Sequence, residues 1–224
     1  MGTTAVHRPI VRSFDVRFSK EAAAFVRAGG HAVVWSKKPD ARGRVEARAL
    51  FVFREPADGV VDDLGLWSVY DMGKFRWKLE ETGPLAGLAS TLVPRDCHWI
   101  VKRRAERDSI HPGPTRKIAF DCLDCGACCQ DNEVVLQDHD MRRFKDGGRA
   151  DLTKLPYSRR HKDGRIMLTL LPNKRCRHLA TNNMCGIYEL RPDACSEFPV
   201  GSECCLFARE DLLGVIDGAR PTTS

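Results

Sequence analysis

Hydrophobic and polar positions alternate along several short runs in residues 1–110, which is the pattern of strands with one buried face. Such runs are predicted as strands over residues 10–18, 31–35, 45–53, 64–70, 74–79 and 95–101. Residues 85–93 fit either a helix or a strand. A short helix is predicted from Glu21, with Ser19 as its cap and Gly29-Gly30 as its end. Turn-forming residues 37–43 predict a hairpin with a mobile basic loop. This half is therefore expected to be an α+β domain dominated by antiparallel sheet.

The pattern is weaker and more broken in residues 118–210. Strands are predicted over residues 133–136 and 166–171, and a helix through residues 141–145, capped by Asp138 or Asp140. A second helix is predicted to begin at Pro192 and to carry Cys195. This segment is short of apolar residues for its length, so we expect bound metal to supply part of its folding energy. The expected fold is an α+β sheet-rich domain followed by a small, loop-rich, metal-stabilised cysteine-cluster module.

A proline-rich segment separates these two parts. Pro112 and Pro114 flank Gly113, and two prolines around a glycine cannot continue a helix or a central strand. The sequence therefore predicts a domain of unknown role over residues 1–110, a metal-binding module over residues 118–210 and a tail over residues 211–224.

Composition indicates an ordinary globular protein, with 42% hydrophobic and 29% charged residues among 224. No apolar run approaches the roughly 20 residues that span a bilayer, and the start of the chain shows no export signal, so a cytoplasmic protein is expected. The net charge of +6 is uneven, because the first 117 residues carry 21 Lys and Arg against 14 Asp and Glu. A solvated surface explains a charge of this size better than an acidic partner does.

The cysteines dominate the chemistry of the sequence. Nine of the ten lie between Cys122 and Cys205. In a reducing compartment such a set indicates metal binding or catalysis, whereas in a secreted protein it could form five disulfides. The spacing Cys-x-x-Cys-x-x-Cys brings three sulfurs to one centre, so a fourth ligand must come from further along the chain. Neighbouring side chains usually diverge, so one member of the Cys128-Cys129 pair is expected to serve a second metal, a supporting role or the core.

Seven cysteines are the candidate metal ligands: Cys122, Cys125, Cys128, Cys129, Cys176, Cys185 and Cys195. Cys204 and Cys205 rank below Cys176, because they lie at the edge of the segment. His178 could be an alternative ligand, although a supporting donor or a surface histidine is the commoner outcome. Cys97 is expected to be a buried thiol with no metal.

The order of motifs resembles that of a known family. The matching residues are Cys122-Leu-Asp-Cys125-Gly-Ala-Cys128-Cys129, then Cys176-Arg-His-Leu179, then residues 185–199 with Tyr188, Arg191, Cys195 and Phe198-Pro199. They resemble the CxxCxxCC family of bacterial cysteine-cluster proteins, which implies zinc or iron chelation over roughly residues 118–205. Flagellin lysine methylases carry a similar cysteine pattern, which implies an iron–sulfur cluster and S-adenosylmethionine chemistry for that branch.

Zinc and an iron–sulfur cluster both suit thiolate ligands, and the triple spacing favours the cluster, because zinc sites more often use two separated Cys-x-x-Cys pairs. The chain has no phosphate loop, nucleophile elbow or His-Glu-x-x-His pair. Three roles stay open: an iron–sulfur oxidoreductase or methyltransferase-like enzyme, an electron or metal carrier, and a zinc-stabilised adaptor. The adaptor would contact a protein or a nucleic acid through the basic first half of the chain. Arg191 and Tyr188 could act on the cluster or a substrate, or could only shape the turn; for Phe198 and Pro199 the structural role is preferred.

Tryptophans beside basic residues could form a stacking surface for single-stranded nucleic acid. The residues concerned are Trp35, Trp67, Trp77, Trp99 and Phe75. Aromatic residues dominate ordinary cores, so a sheet core is preferred and nucleic acid is not expected as a partner. The expected partner is a protein, as binding partner or substrate.

Overall fold

The computed structural model describes residues 4–39, 42–43, 45–56, 77–198 and 200–217. The chain divides into two compact units. One unit, here called the sheet unit, consists mainly of Ala5–Ile118 with the short segment Ser202–Cys204. The other, here called the cysteine unit, consists mainly of Ala119–Gly201 and Cys205–Val215.

The sheet unit contains strands and two helices in mixed order. The strands are β1 (Thr4–Pro9), β2 (Val11–Asp15), β3 (His31–Pro39), β4 (Val45–Phe53), β5 (Lys78–Leu79), β6 (Ala89–Val93) and β7 (Thr115–Phe120). The helices are α1 (Ser19–Arg27) and α2 (His98–Asp108). Strands β2-β3-β4-β6-β5 form a five-stranded sheet in that order, while β1 pairs with β7.

Most pairings in the five-stranded sheet are antiparallel, as predicted. Strands β3 and β4 form the predicted hairpin, with Ala32 opposite Val52 and Pro39 opposite Val45. Strands β2 and β3 are parallel, because helix α1 returns the chain to the same end of the sheet. Phe51 and Phe53 of β4 are buried in the core, and Ala22 and Val26 of α1 pack on the sheet. The α+β class is therefore confirmed.

The prediction of a strand over residues 95–101 is wrong. A 3-10 turn spans Arg95–Cys97 and leads directly into helix α2. Cys97, Val101 and Ala105 are buried at a spacing of four residues, which is a helical face, whereas Trp99 is 62% exposed. The predicted strand over residues 10–18 is also shorter, because Val16–Phe18 forms a 3-10 turn.

Other predictions fall partly or wholly outside the described residues. The predicted strand over residues 64–70 lies outside them, as do Trp67 and Phe75. Of residues 74–79 the structure describes the last three, which include the two-residue strand β5. The ambiguous segment 85–93 contains strand β6.

The proline-rich segment is hydrogen-bonded within the sheet unit. The Ile10 amide donates to the Pro114 carbonyl at 2.8 Å, and Arg12 Nη2 donates to the His111 carbonyl at 2.9 Å. The sheet unit accordingly includes this segment and continues to Ile118. The domain limits at residues 110 and 118 remain a prediction, which limited proteolysis can test.

The cysteine unit is built from short elements. They are α3 (Cys122–Cys125), β8 (Val135–Leu136), α4 (Asp138–Asp146), β9 (Ser158–Arg160), β10 (Ile166–Leu168), α5 (Asp193–Ser196) and α6 (Glu203–Leu213, whose first two residues belong to the sheet unit). Strands β8, β10 and β9 form a small antiparallel sheet. Gln137, rather than Asp138 or Asp140, caps α4. The core of the unit is small: Val134, Leu136, Phe144, Leu152, Leu168 and Ile187.

Helix α6 extends to Leu213, into the segment that the sequence predicts to be a tail. Within the described residues, no helix combines the length and the apolar character that crossing a bilayer requires.

Candidate metal centre

A cavity of about 270 Å³ lies in the cysteine unit and is lined by eight thiols. The seven predicted ligands all line it, and Cys205 is the eighth: Cys122, Cys125, Cys128, Cys129, Cys176, Cys185, Cys195 and Cys205. Much of the remaining lining is apolar, with Leu123, Leu179 and Phe198 among its members. The structure thus brings together side chains that are far apart in the sequence.

The first motif is shaped by a cap and a glycine. The Asp121 carboxylate accepts a hydrogen bond from the Leu123 amide at 2.8 Å and so caps the single turn of α3. Gly126 follows in the left-handed region with φ of +60°. A Cβ atom at this position would lie 3.1 Å from Asn183 Cβ and 3.2 Å from Leu179 Cδ2. Only glycine fits this turn without strain, and the turn directs Cys128 and Cys129 to the same cavity as Cys122 and Cys125.

Backbone pairing positions the next two cysteines. The Cys176 amide donates to the Cys129 carbonyl at 2.9 Å, which aligns the two segments. Cys185 forms an isolated bridge with Leu179, and the Gly186 amide donates to the His178 carbonyl at 2.8 Å. Cys176 and Cys185 therefore enter the cavity from a single tight hairpin-like turn.

Ion pairs hold the helix that carries Cys195. The Asp193 amide at the start of α5 donates to Asp140 Oδ1 at 3.0 Å, and Asp140 is 1% exposed. Arg143 bonds to the Asp193 carboxylate and donates to the Arg191 carbonyl at 2.6 Å. These contacts fix α5 against α4, so the position of Cys195 depends on residues that never touch the cavity.

The last thiol comes from helix α6. Cys205 lies in its first turns and is 6% exposed. Arg209, one turn further along, donates from Nη1 to Cys125 Sγ at 3.0 Å. Sequence reasoning ranked Cys205 low and did not single out Arg209. Their spacing of four residues, which puts both side chains on one face of a helix, is the sequence feature that could have identified them together.

Burial keeps several of these thiols protonated when no metal is bound. It raises the pKa of the Cys195 thiol to about 12 and that of Cys205 to about 11. Burial also raises the pKa of Cys122 and Cys176. The pKa of Cys128 is raised first by the neighbouring Cys129 thiol and then by burial, and both cysteines line the cavity. A metal ion would have to displace these protons, so its binding should release them.

The thiols are more widely spaced than the ligands of one small ion. Among the described His, Cys, Asp and Glu side chains, the group of three whose ligand atoms all lie within 4.8 Å of one another is His139, Asp140 and Asp193. Arg143 already pairs with both of these carboxylates, so this group is an ion-pair network. Four thiolates around one zinc ion stand about 3.8 Å apart, from Zn–S bonds of about 2.3 Å. The cavity thiols are therefore set for a larger group, or would have to close in on a single ion.

Other polar side chains also line the cavity. The guanidinium of Arg191 stacks on the Tyr188 ring with its carbon 3.6 Å from the ring centroid. His178 is 8% exposed and stacks on Tyr157, and its Nε2 has no hydrogen-bond partner among the described residues. Burial lowers the pKa of His178, so its ring is neutral at pH 7. Pro199 lies outside the described residues.

The remaining sequence candidates are not among the residues that line this cavity. Cys97 is fully buried in the core of the sheet unit, in agreement with the prediction of a buried thiol. Cys204 does not line the cavity. Trp35 and Trp77 pack against the sheet core, and Trp99 is exposed.

Comparison with known proteins gave one finding. Residues 121–212 match the family model CxxCxxCC, whose description reads "Putative zinc- or iron-chelating domain". Neither the curated proteins nor the solved structures gave a significant match. The matched segment covers α3 to α6 and includes every thiol around the cavity. Residues 121–212, which are fewer than half of the chain, are therefore similar to the CxxCxxCC cysteine-cluster domains, whose described property is the chelation of zinc or iron.

Proposed function

We propose that the eight-thiol cavity holds an iron–sulfur cluster, which the protein uses for redox or cluster-dependent modification chemistry. The observation that carries this proposal is the combination of eight thiols with a cavity of about 270 Å³. A single zinc ion needs four ligands and almost no open space. A cluster is also held by four thiolates, but it is a larger group than one ion, so it suits the open volume and the wider spacing of these sulfurs.

The proposed ligands are drawn from seven cysteines: Cys122, Cys125, Cys128, Cys129, Cys176, Cys185 and Cys195. When bound, an iron–sulfur cluster supplies one-electron transfer or an iron site for a co-substrate. The protein supplies the surroundings: Arg209 donates to a sulfur, and apolar side chains such as Leu179 and Phe198 keep water away. Both effects are ways in which proteins adjust the reduction potential of a cluster.

Arg191 is the group best placed to meet a substrate. Its guanidinium lines the cavity and is held against the Tyr188 ring, while its Nε donates to the Tyr188 carbonyl at 3.0 Å. A guanidinium fixed in this way could receive a carboxylate. We propose a protein as the partner or substrate, and a reducing compartment, the cytoplasm, as the setting in which these thiols stay available.

A zinc-stabilised adaptor, contacting a partner through the basic first half of the chain, is the second candidate. Behind it stand the basic first half of the chain and the small core cluster of the cysteine unit, in which six buried hydrophobic residues pack together. A domain with so little buried apolar surface gains much of its stability from a bound metal of either kind.

Metal analysis of protein purified without air separates the two candidates. The cluster proposal expects iron and acid-labile sulfide in similar amounts, with broad absorption near roughly 400 nm that bleaches with dithionite. Stoichiometric zinc without iron or a visible band would refute it and favour the adaptor. A Cys97→Ser variant, with its substitution in the sheet core, is the control and should keep full metal content.

A further inference from the structure

Helix α6 presents two side chains to the first cysteine motif. Cys205 and Arg209 are four residues apart and so lie on one face of the helix. Arg209 is 9% exposed, and its Nη1 lies 3.0 Å from Cys125 Sγ. This bond fixes the face of α6 that carries Cys205 against the motif.

The neighbours of Cys205 are the cysteines of that motif. Burial raises the pKa of Cys205 most, a backbone hydrogen bond at Gly201 lowers it, and the charges of Cys128, Cys125 and Cys122 raise it further. The charges of Cys176 and Cys185 act on Cys195 first, and that of Cys128 follows. Backbone N–H donors to sulfur are a regular feature of thiolate ligands.

The first motif supplies three cysteines at short spacing in the sequence, and a four-ligand centre built on them needs a fourth ligand. The sequence alone suggests Cys176, Cys185 or Cys195 for this position. In the structure, Cys205 lines the same cavity as the three motif cysteines, and the helix that carries it is hydrogen-bonded to the motif through Arg209 and Cys125.

We propose that Cys205 is the fourth ligand of the metal centre formed by Cys122, Cys125 and Cys128. This inference rests on the proposed function only in requiring a thiolate-bound metal, and it holds for iron or zinc. The alternative is that Cys205 is an ordinary buried thiol of the core, since it is 6% exposed.

The test compares serine variants of two adjacent cysteines. Cys205→Ser should lose metal, or release it to a chelator more than about tenfold faster than wild type, because losing a ligand should cost at least as much as losing a supporting contact. Cys204→Ser is the matched control, because Cys204 is in the same helix but does not line the cavity. It should keep wild-type metal content and release rate. Wild-type behaviour in both variants would overturn the inference.

A measurement on the wild-type chain covers the case in which Cys205→Ser fails to fold. Alkylation of each cysteine is followed by peptide mass spectrometry, before and after metal removal. If Cys205 is a ligand, chelation should raise its alkylation rate together with that of Cys125. A rise at Cys125 with no change at Cys205 would overturn the inference.

The two proposals fail in different ways. If wild-type protein holds zinc and no iron, the iron–sulfur proposal fails, while the comparison of Cys205 with Cys204 is still decisive. If wild-type protein holds no metal under anaerobic conditions, both proposals fail. If iron and sulfide are present and Cys205→Ser keeps them, only the assignment of Cys205 fails.

Discussion

Replacing Arg209 by methionine should weaken metal binding without unfolding the cysteine unit. The guanidinium lies 3.0 Å from Cys125 Sγ and is 9% exposed. A cation at this position stabilises the negative charge that a metal-bound sulfur carries. Methionine keeps much of the side-chain volume and removes both the charge and the hydrogen bond.

The size of the effect follows from this geometry. Two full charges 3.0 Å apart attract by about 5.5 kcal/mol at an effective dielectric constant of roughly 20, which is an upper limit. A hydrogen bond to a charged group contributes about 1.5–3 kcal/mol net, because the guanidinium also loses its hydration. Since 1.4 kcal/mol corresponds to a factor of ten, Arg209→Met should bind metal roughly 10- to 100-fold more weakly.

Competition with a chelator of known affinity, under anaerobic conditions, measures this change. Arg142→Met, on an exposed position of helix α4, is the control for the loss of one arginine and should bind as wild type does. Arg209→Lys keeps the charge, so its metal affinity should lie between those of Arg209→Met and Arg142→Met. Equal affinity in Arg209→Met and Arg142→Met would refute the proposed role of Arg209.

Two further predictions concern stability. Asp108 is fully buried, accepts a hydrogen bond from the Val11 amide at 2.8 Å and pairs with two arginines. Asp108→Ala should therefore lower the free energy of unfolding by about 3–5 kcal/mol. Urea unfolding followed by tryptophan fluorescence measures this loss. Glu106→Ala, at an exposed position in the same helix, should cost less than about 0.5 kcal/mol, and similar losses in both would contradict the role of burial. Burial, and then the charge of Arg116, lowers the pKa of His111 below 6.5. The unfolded chain therefore binds a proton at His111 more readily than the folded chain does. The free energy of unfolding should fall as the pH drops below about 6.5. His111→Gln should reduce this dependence between pH 7.5 and 5.5, and an unchanged slope would count against it. A further prediction concerns metal release. Gly126→Ala should speed it, since a Cβ would lie only 3.1 Å from Asn183 Cβ and would crowd the first cysteine motif. Gly164→Ala also places alanine at a positive φ, +89°, but in open space, so it controls for backbone strain and should leave release unchanged.

The α+β class and the cysteine module could be predicted from the sequence because they depend on local patterns. Phe51 and Phe53 alternate with polar or smaller residues along a strand that is indeed central to the sheet. The first cysteine motif is also local, because the two residues between Cys122 and Cys125 form the turn that brings these cysteines together. Residues 95–101 show the limit of such patterns, since Cys97 and Val101 are compatible with both a strand and a helix. The helix forms because it buries Cys97 and Val101 in the core while Trp99 stays exposed.

The role of Cys205 could not be predicted because it depends on docking. Nothing near Cys205 in the sequence distinguishes it from Cys204. If α6 were rotated about its axis by the angle between successive residues, Cys204 would take the position of Cys205. The contact that selects Cys205 is made by Arg209 with Cys125, a residue 84 positions away in the chain. Contacts of this range leave no local periodicity to detect.

All ten cysteines are free thiols in the structure, and eight of them surround one cavity. Eight cysteines can pair in roughly 105 ways as disulfides. If air reaches the protein before metal does, oxidation should therefore give a mixture of cross-linked isomers rather than one inactive form. Later addition of metal cannot restore such a mixture, because each wrong pair removes two ligands until a reductant breaks it. The order of events during production, metal first and oxygen excluded, should thus decide how much of the chain reaches the loaded state.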